Sequence, residues 1–266
     1  MAVVVDDILT LAPPPADVRL PYGGDAHQFG DLRIPGGLPK PGAKSHSRHP
    51  VVMNIHGGYW RNQYDLAHAG HLCAALTAQG FATWNIEYRR IGDPGGGWPG
   101  SFEDVRNSHR FLHQIAKPYN LDLDRVVVMG HSAGGQLALA LAGHETSVKN
   151  VVSLAGVVDL ARALELHLSH DAVADFLGGT PLQVPEHYHE ADPMQLKIPL
   201  ARQVLIHGLD DDVVPIEIGR RYRDAKLKQN ENVQLIEVEK CGHFELIDPR
   251  SAAWAKVVVA VKLLTS

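Results

Sequence analysis

A chain of 266 residues is long enough to bury one large core and too long for a small module stapled by disulfides or metal. With 45% hydrophobic and 21% charged residues it has the make-up of a folded globular protein, not of a disordered one. A net charge of -5 without any run of Lys or Arg offers nothing to a phosphate backbone or an anionic membrane surface, so neither is an expected partner.

Cys73 and Cys241 stand far apart and without CxxC spacing, which excludes a disulfide framework and a zinc ribbon and points to a reducing compartment, the cytoplasm. The stretch Met1 to Leu11 is apolar but lacks a basic start and carries Asp6 and Asp7, unlike a secretory signal. No segment approaches about 20 uninterrupted apolar residues, so no membrane span is expected.

In chain order, a Pro-rich start is followed by Val18 to Tyr22 and Gln28 to Ile34, which read as edge strands between Gly-rich turns. From Pro50 onward compact apolar runs alternate with longer amphipathic stretches, the pattern of strands buried on both faces with crossover helices. The runs are Val51 to Ile55, Ala82 to Glu87, Val126 to Met129, Val151 to Leu154, Gln203 to Ile206 and Val233 to Val238. Helices are expected at Asp65 to Gln79, Phe102 to Ile115, Ala133 to Ala142, Ile216 to Lys228 and Arg250 to Leu264. The fold class is therefore α/β, one domain over residues 1–266 with a mostly parallel, doubly wound sheet. One connection breaks the rhythm: Asp159 to Pro199 is long, rich in His and Pro and weakly periodic, and reads as a cap or lid over a site or, alternatively, as a surface insertion.

In such sheets ligands sit beyond the carboxyl ends of the strands, so the turns there are where chemistry is expected. After Val126 to Met129 the chain reads Gly130-His131-Ser132-Ala133-Gly134 and then an Ala- and Leu-rich helix, the strand-turn-helix setting of a G-x-S-x-G nucleophile elbow. Such a serine needs a base to take its proton and donors to hold the oxyanion. After Val51 to Ile55 comes His56-Gly57-Gly58-Tyr59-Trp60, where Gly58 and Tyr59 would offer backbone N–H groups, completed by the amide of Ala133.

Further on, Gln203 to Ile206 runs into His207-Gly208-Leu209-Asp210-Asp211-Asp212-Val213-Val214-Pro215, a turn with three consecutive carboxylates, of which one can orient a histidine. The others, Asp212 above all, read as a solvated turn capping the helix near Pro215. The final loop holds Lys240-Cys241-Gly242-His243-Phe244, and His243 is the expected general base among 16 histidines. His56, His131 and His207 are expected to support turns.

Trp60 and Trp98, with Tyr59, are candidates to line an aromatic or apolar substrate pocket, with core packing as the alternative. Glu87, Arg89, Arg90 and Asp104 read as ion pairs and caps. His167, His170, Asp171, His187, His189 and Glu190 lack convincing metal-ligand spacing, so no metal and no cofactor is expected.

From Pro50 to Phe244 the motif order resembles that of the α/β-hydrolases, close to the kynurenine formamidase and hormone-sensitive-lipase-like esterase groups. The segment His56 to Trp60 is similar to the formamidase form of the oxyanion turn, which in that group precedes a Gly-His-Ser-Ala-Gly elbow. Gly135-Gln136-Leu137 is similar to general esterases and prolyl-oligopeptidase-type hydrolases. A peptidase of the latter type is not expected, since those carry a large propeller and the stretch before Pro50 is too short for one.

Within this resemblance the acid usually has two residues between it and the preceding His-Gly and one between it and the following Val-Val-Pro, which selects Asp211 over Asp210. The resemblance thus implies a Ser132, Asp211, His243 triad that cleaves a small ester or amide through an acyl-enzyme without cofactor. A carboxylesterase, a kynurenine formamidase acting on N-formylkynurenine, and a non-catalytic binding protein on the same fold remain the three readings. The expected partner is the small-molecule substrate, with a homodimer as the compatible protein assembly.

Overall fold

The computed structural model describes residues 7–39 and 48–266; residues 1–6, most of the stretch Met1 to Leu11 discussed above, lie outside the described residues. Among the described residues eight strands form one sheet: β1 Val18–Pro21, β2 Phe29–Arg33, β3 His49–Ile55, β4 Ala82–Ile86, β5 Leu121–His131, β6 Asn150–Leu154, β7 Arg202–Gly208 and β8 Val233–Val238. Their order is β1-β2-β4-β3-β5-β6-β7-β8. β1 and β2 pair antiparallel at one edge, β2 joins β4 antiparallel, and every pairing from β4 to β8 is parallel. The two edge strands read from the sequence are thus part of the main sheet, which is mixed and has eight strands where six runs were read for its parallel part.

The helices are α1 Asp7–Thr10, α2 Gly70–Ala78, α3 Gly100–Ile115, α4 Ala133–His144, α5 Leu160–Glu165, α6 Ala172–Leu177, α7 Pro185–Ala191, α8 Ile216–Lys228 and α9 Trp254–Thr265. Successive side chains of a strand point to opposite faces, and the core divides accordingly. Val51, Met53 and Ile55 of β3 pack with Leu112 of α3, Leu137 of α4 and Tyr222 of α8 in one cluster. Val52 packs with Leu72 of α2 and Val257 and Val261 of α9 in the other. Full burial on both faces is why these strands read as unbroken apolar runs.

Three expected boundaries move by four residues or more. The helix expected over Asp65 to Gln79 opens with a 3-10 turn, Leu66–Ala69, because Asp65 caps it by accepting the Ala67 N–H at 2.8 Å. The last helix begins at Trp254 rather than Arg250, since Asp248 accepts the Arg250 N–H at 2.8 Å and holds that stretch in a turn. β5 starts at Leu121 instead of Val126, its polar beginning paired with His49 and Pro50 of β3.

The excursion from Asp159 to Pro199 contains α5, α6 and α7, of six, six and seven residues. Two turns of helix are too short to print a clear 3.6-residue period, which is why the segment reads as weakly periodic. Its two ends are tied together. Asp159 caps α5 through the Arg162 N–H at 3.1 Å, and Asp192, just past α7, accepts from Leu160 and Ala161 at 3.2 and 3.4 Å. Burial, only partly offset by amide hydrogen bonds, pushes the Asp192 carboxyl up to about 6. Phe176 of α6 stacks on Trp60 with ring centroids 4.5 Å apart, and its carbonyl accepts from Trp98 N–H at 2.8 Å, so the segment packs over the turns beyond β3 and β4.

Candidate active site

Ser132 occupies the sharp turn between β5 and α4 with φ 57° and ψ -120°, a conformation few non-glycine residues adopt. Its N–H is bonded to Leu154 O at 2.8 Å, which fixes the strained residue against β6. The flanking glycines are required by proximity. A Cβ at Gly130 would meet Gly134 O at 2.1 Å, and one at Gly134 would meet Ile55 O at 2.1 Å. The helix therefore starts immediately at Ala133, whose amide, as the first of α4, has no intrahelical acceptor.

The turn after β3 lies against this elbow. A side chain at Gly57 would meet His131 O at 2.9 Å and Ser132 Cβ at 3.0 Å, so only glycine lets the two turns touch. Gly58, Tyr59 and Trp60 all have positive φ, 113°, 49° and 58°, which turns successive amides through a tight bend. His56 braces the bend, its Nδ1 2.8 Å from Gly57 O and its Nε2 2.9 Å from the buried Glu87 carboxylate. Glu87 in turn pairs with Arg90 at 3.2 Å, and Arg89 with Asp104 at 2.6 Å, so this polar group is structural. The Tyr59 hydroxyl donates to Val213 O at 2.8 Å and links the bend to the acidic turn after β7.

In that turn Asp211 is the carboxylate that points inward. Its Oδ1 accepts from the amides of Val213 and Val214 at 3.0 and 2.8 Å, and its Oδ2 lies 2.8 Å from His243 Nδ1 and 3.4 Å from His207 Nε2. Burial works against ionisation here, but the hydrogen bonds with His207, His243 and the Val214 amide outweigh it and hold Asp211 well below the usual carboxylate range. Asp210 and Asp212 are exposed. The capping expected of Asp212 does not occur: α8 starts behind Pro215 without a side-chain cap, because Pro215 already sets the turn. His243 is buried, its ring 4.4 Å from that of His131, and the His131 Nε2–H donates to the His243 carbonyl at 3.1 Å. Burial, with His243 adding to it, drives His131 well below the ordinary imidazole range, so it serves as a neutral brace.

Ser132, His243, Gly58 and Tyr59 line one cavity of about 250 Å³. The two tryptophans expected there are elsewhere. Trp60 is completely buried, donates its indole N–H to Gln136 at 3.0 Å and stacks on Phe176. Trp98 stacks on Phe102 at 5.0 Å. Both are held in packing by their indole size and the fold-back of α6, and neither lines the cavity. The cavity wall includes residues the sequence reading passed over: Leu9 of α1, Arg61, His68 and Ser169 of the excursion. Arg61 directly follows the His56 to Trp60 motif, the one available signal; His68 and Leu9 carry none. Burial, with His56 nearby, brings His68 down to about 3, so it is neutral.

The excursion histidines do not converge. His167 meets Asp171 at 2.7 Å, His187 meets Leu177 O at 2.6 Å, and among the described residues no group of three or more His, Cys, Asp or Glu is placed to hold a metal ion. No described helix is long and apolar enough to cross a membrane.

The chain is similar to several known proteins. Esterase LipC of Mycobacterium tuberculosis is 28% identical over 253 residues, which are 86% of this chain and 60% of LipC. The probable carboxylic ester hydrolase LipM of the same organism is 26% identical over 79% of this chain and 53% of LipM. The chain thus spans between half and two thirds of the length of these relatives. A truncated carbohydrate esterase from gut microbiota superposes with a TM-score of 0.79 at 20% identity, covering 96% of this chain and 99% of that one, which shows a shared fold. The family described as BD-FAE matches residues 39–225, the stretch that contains the His56 to Trp60 turn, the elbow at Ser132 and the acidic turn after β7. The chain belongs to the BD-FAE family and has the α/β-hydrolase fold.

Proposed function

We propose that the protein is a serine hydrolase of the carboxylesterase type, with Ser132 as nucleophile, His243 as base and Asp211 as the acid that orients it. The observation that carries this reading is the 2.8 Å contact between His243 Nδ1 and Asp211 Oδ2 behind a cavity that Ser132 and His243 both line. With Nδ1 engaged, Nε2 of His243 is left to take the Ser132 proton as Oγ attacks the ester carbonyl. Negative charge then develops on the carbonyl oxygen, where the amides of Gly58, Tyr59 and Ala133 and the positive end of α4 stabilise it. Collapse releases the alcohol, which takes the proton from His243. Water, deprotonated by the same imidazole, cleaves the acyl-enzyme and frees the acid. Similarity to proteins named as esterases supports the ester as substrate.

In this proposal residues 159–199 act as a cap, supported by Ser169 in the cavity wall and by the Phe176 stack on Trp60. A cytoplasmic location is supported by two unpaired, buried cysteines, Cys73 and Cys241. The formamidase alternative rests on the His56 to Trp60 motif, whose Trp60 is a buried packing residue. A rate comparison of N-formylkynurenine with acetyl and butyryl esters separates the two: esters turned over at least as fast favour the esterase. Ser132→Ala tests the whole reading and the binding-protein alternative together. It should lower p-nitrophenyl acetate turnover by about 10³-fold or more with the melting temperature retained, and turnover that survives would sink the serine mechanism.

A further inference from the structure

The cavity over Ser132 has apolar lining from Leu9, Tyr59, Val213 and Phe244. Among the described residues that line it, Arg61 is the one side chain of fixed charge, and no Asp, Glu or Lys stands with it. Burial keeps His68 and His131 neutral, so neither adds to that charge. The Asp211 carboxylate lies beneath the wall, its oxygens already engaged by His243 and two backbone amides. The lining itself therefore carries one fixed cation and no fixed anion, in a chain whose net charge is -5.

The Arg61 backbone is fixed in the turn that follows Trp60, its N–H bonded to Gly58 O at 3.0 Å and its strand-like bridge made to Ile91. The side chain reaches the excursion, where Nη2 lies 2.9 Å from Asp175 Oδ2. Its other contacts are long, 3.5 Å to Ser169 Oγ and 3.4 Å to His170 O. The Asp175 side chain is 53% exposed, and a pair so open to water is weakly held. A guanidinium presents five N–H donors in a plane and pairs best with a carboxylate in bidentate fashion, so one loose partner leaves it able to take a second. The fork fits the two oxygens of a carboxylate, and one cation balances its single charge.

We propose that Arg61 binds a carboxylate on the substrate, remote from the bond that Ser132 attacks, so that the cavity selects carboxylate-bearing esters over their neutral counterparts. The reaction rests on the hydrolase reading above; the anion subsite itself is readable without turnover.

The test compares two isosteric pairs on the purified full chain. One carries the charge on the leaving group, p-acetoxybenzoate against p-acetoxybenzamide. The other carries it on the acyl side, mono(p-nitrophenyl) terephthalate against p-nitrophenyl p-carbamoylbenzoate. In at least one pair kcat/KM should favour the anion by about tenfold, and Arg61→Gln should bring that ratio to about one. Because the ratio is internal to each enzyme, a general loss of activity does not mimic the effect. Asp175→Asn, which releases the guanidinium, should raise the ratio. Wild-type ratios near one in both pairs, or a preference that survives Arg61→Gln, overturn the subsite.

Titration calorimetry with benzoate and benzamide reads the same contact without chemistry. Benzoate should bind the wild type about fivefold or more tighter than benzamide, with the difference gone in Arg61→Gln. Equal binding of the two overturns the subsite. Discrimination between them with no ester turnover upholds it and refutes the hydrolase reading alone.

Discussion

Nδ1 of His243 stands 2.8 Å from Oδ2 of Asp211, and neither side chain is more than 3% exposed. Asp211 comes from the turn after β7 and His243 from the loop after β8, two strands paired in register from Gln203 and Val233 to Gly208 and Val238. Sheet pairing therefore sets the separation of the two loops, and the side chains meet because the strands end level. A buried charge of this kind is retained only when its hydrogen bonds are complete, and Asp211 has four partners in reach.

Asp211→Asn should lower kcat by about 10³- to 10⁴-fold, the cost found when a triad acid is replaced by its amide and the imidazole is held in the wrong tautomer. Asp210→Asn should change kcat by less than about twofold, since that side chain is exposed. Steady-state kinetics on a p-nitrophenyl ester decide it. Equal losses at the two positions would remove Asp211 from its role.

The depressed Asp211 carboxyl also has a pH signature. Its native value lies below the unfolded value of about 3.9, so its contribution to stability is complete above that pH and is lost as pH falls through the native value. Urea unfolding from pH 7 down to pH 3 should therefore show the Asp211→Asn variant losing less stability than the wild type only at the acid end, below about pH 4.

His68 works in a different window. In the unfolded chain an imidazole protonates at about 6.5, whereas burial holds His68 neutral down to about 3 in the folded protein. Between those values the unfolded state binds the extra proton, so stability falls as pH drops. His68→Gln should lessen that fall by up to about 1.4 kcal/mol per pH unit, measured as the urea midpoint at pH 7, 6 and 5. An unchanged slope would show that His68 protonates normally in the fold.

Trp60→Phe removes the indole donor to Gln136 and leaves a buried amide oxygen unpaired, so it should cost about 1–3 kcal/mol of stability. Because Trp60 packs between Gln136 and Phe176 and does not line the cavity, the ratio of acetyl to butyryl ester rates should stay within about twofold of wild type. A changed ratio would put the ring in contact with substrate.

The parallel strands were legible because burial on both faces leaves little room for polar residues, as in Val51 to Ile55 and Val151 to Leu154. Their turns were legible for a related reason: Gly57, Gly130 and Gly134 are demanded by contacts of 2.1 to 2.9 Å with neighbouring backbone, and glycine is visible in a sequence. The start of β5, with Asp122 and Asp124, was not legible, since its pairing with β3 depends on a partner far away in the chain. The helices of the excursion were hidden by their shortness, and by His167, Ser169, His170 and Asp171, whose left-handed conformations interrupt the chain without a glycine to announce them.

The sequence by itself determined the α/β class, the strand ends at which chemistry could stand, and the order of a serine, a run of acids and a histidine along the chain. Tertiary structure alone decided which side chains face one another. It turned Asp211 inward and left Asp210 and Asp212 in water, sent Trp60 and Trp98 into packing, and brought Leu9, Arg61, His68 and Ser169 to one cavity. The physical reason is that periodicity and turn chemistry are local properties, encoded within a few residues, whereas burial and approach depend on strand order and on segments more than a hundred residues apart, such as Arg61 and Ser169.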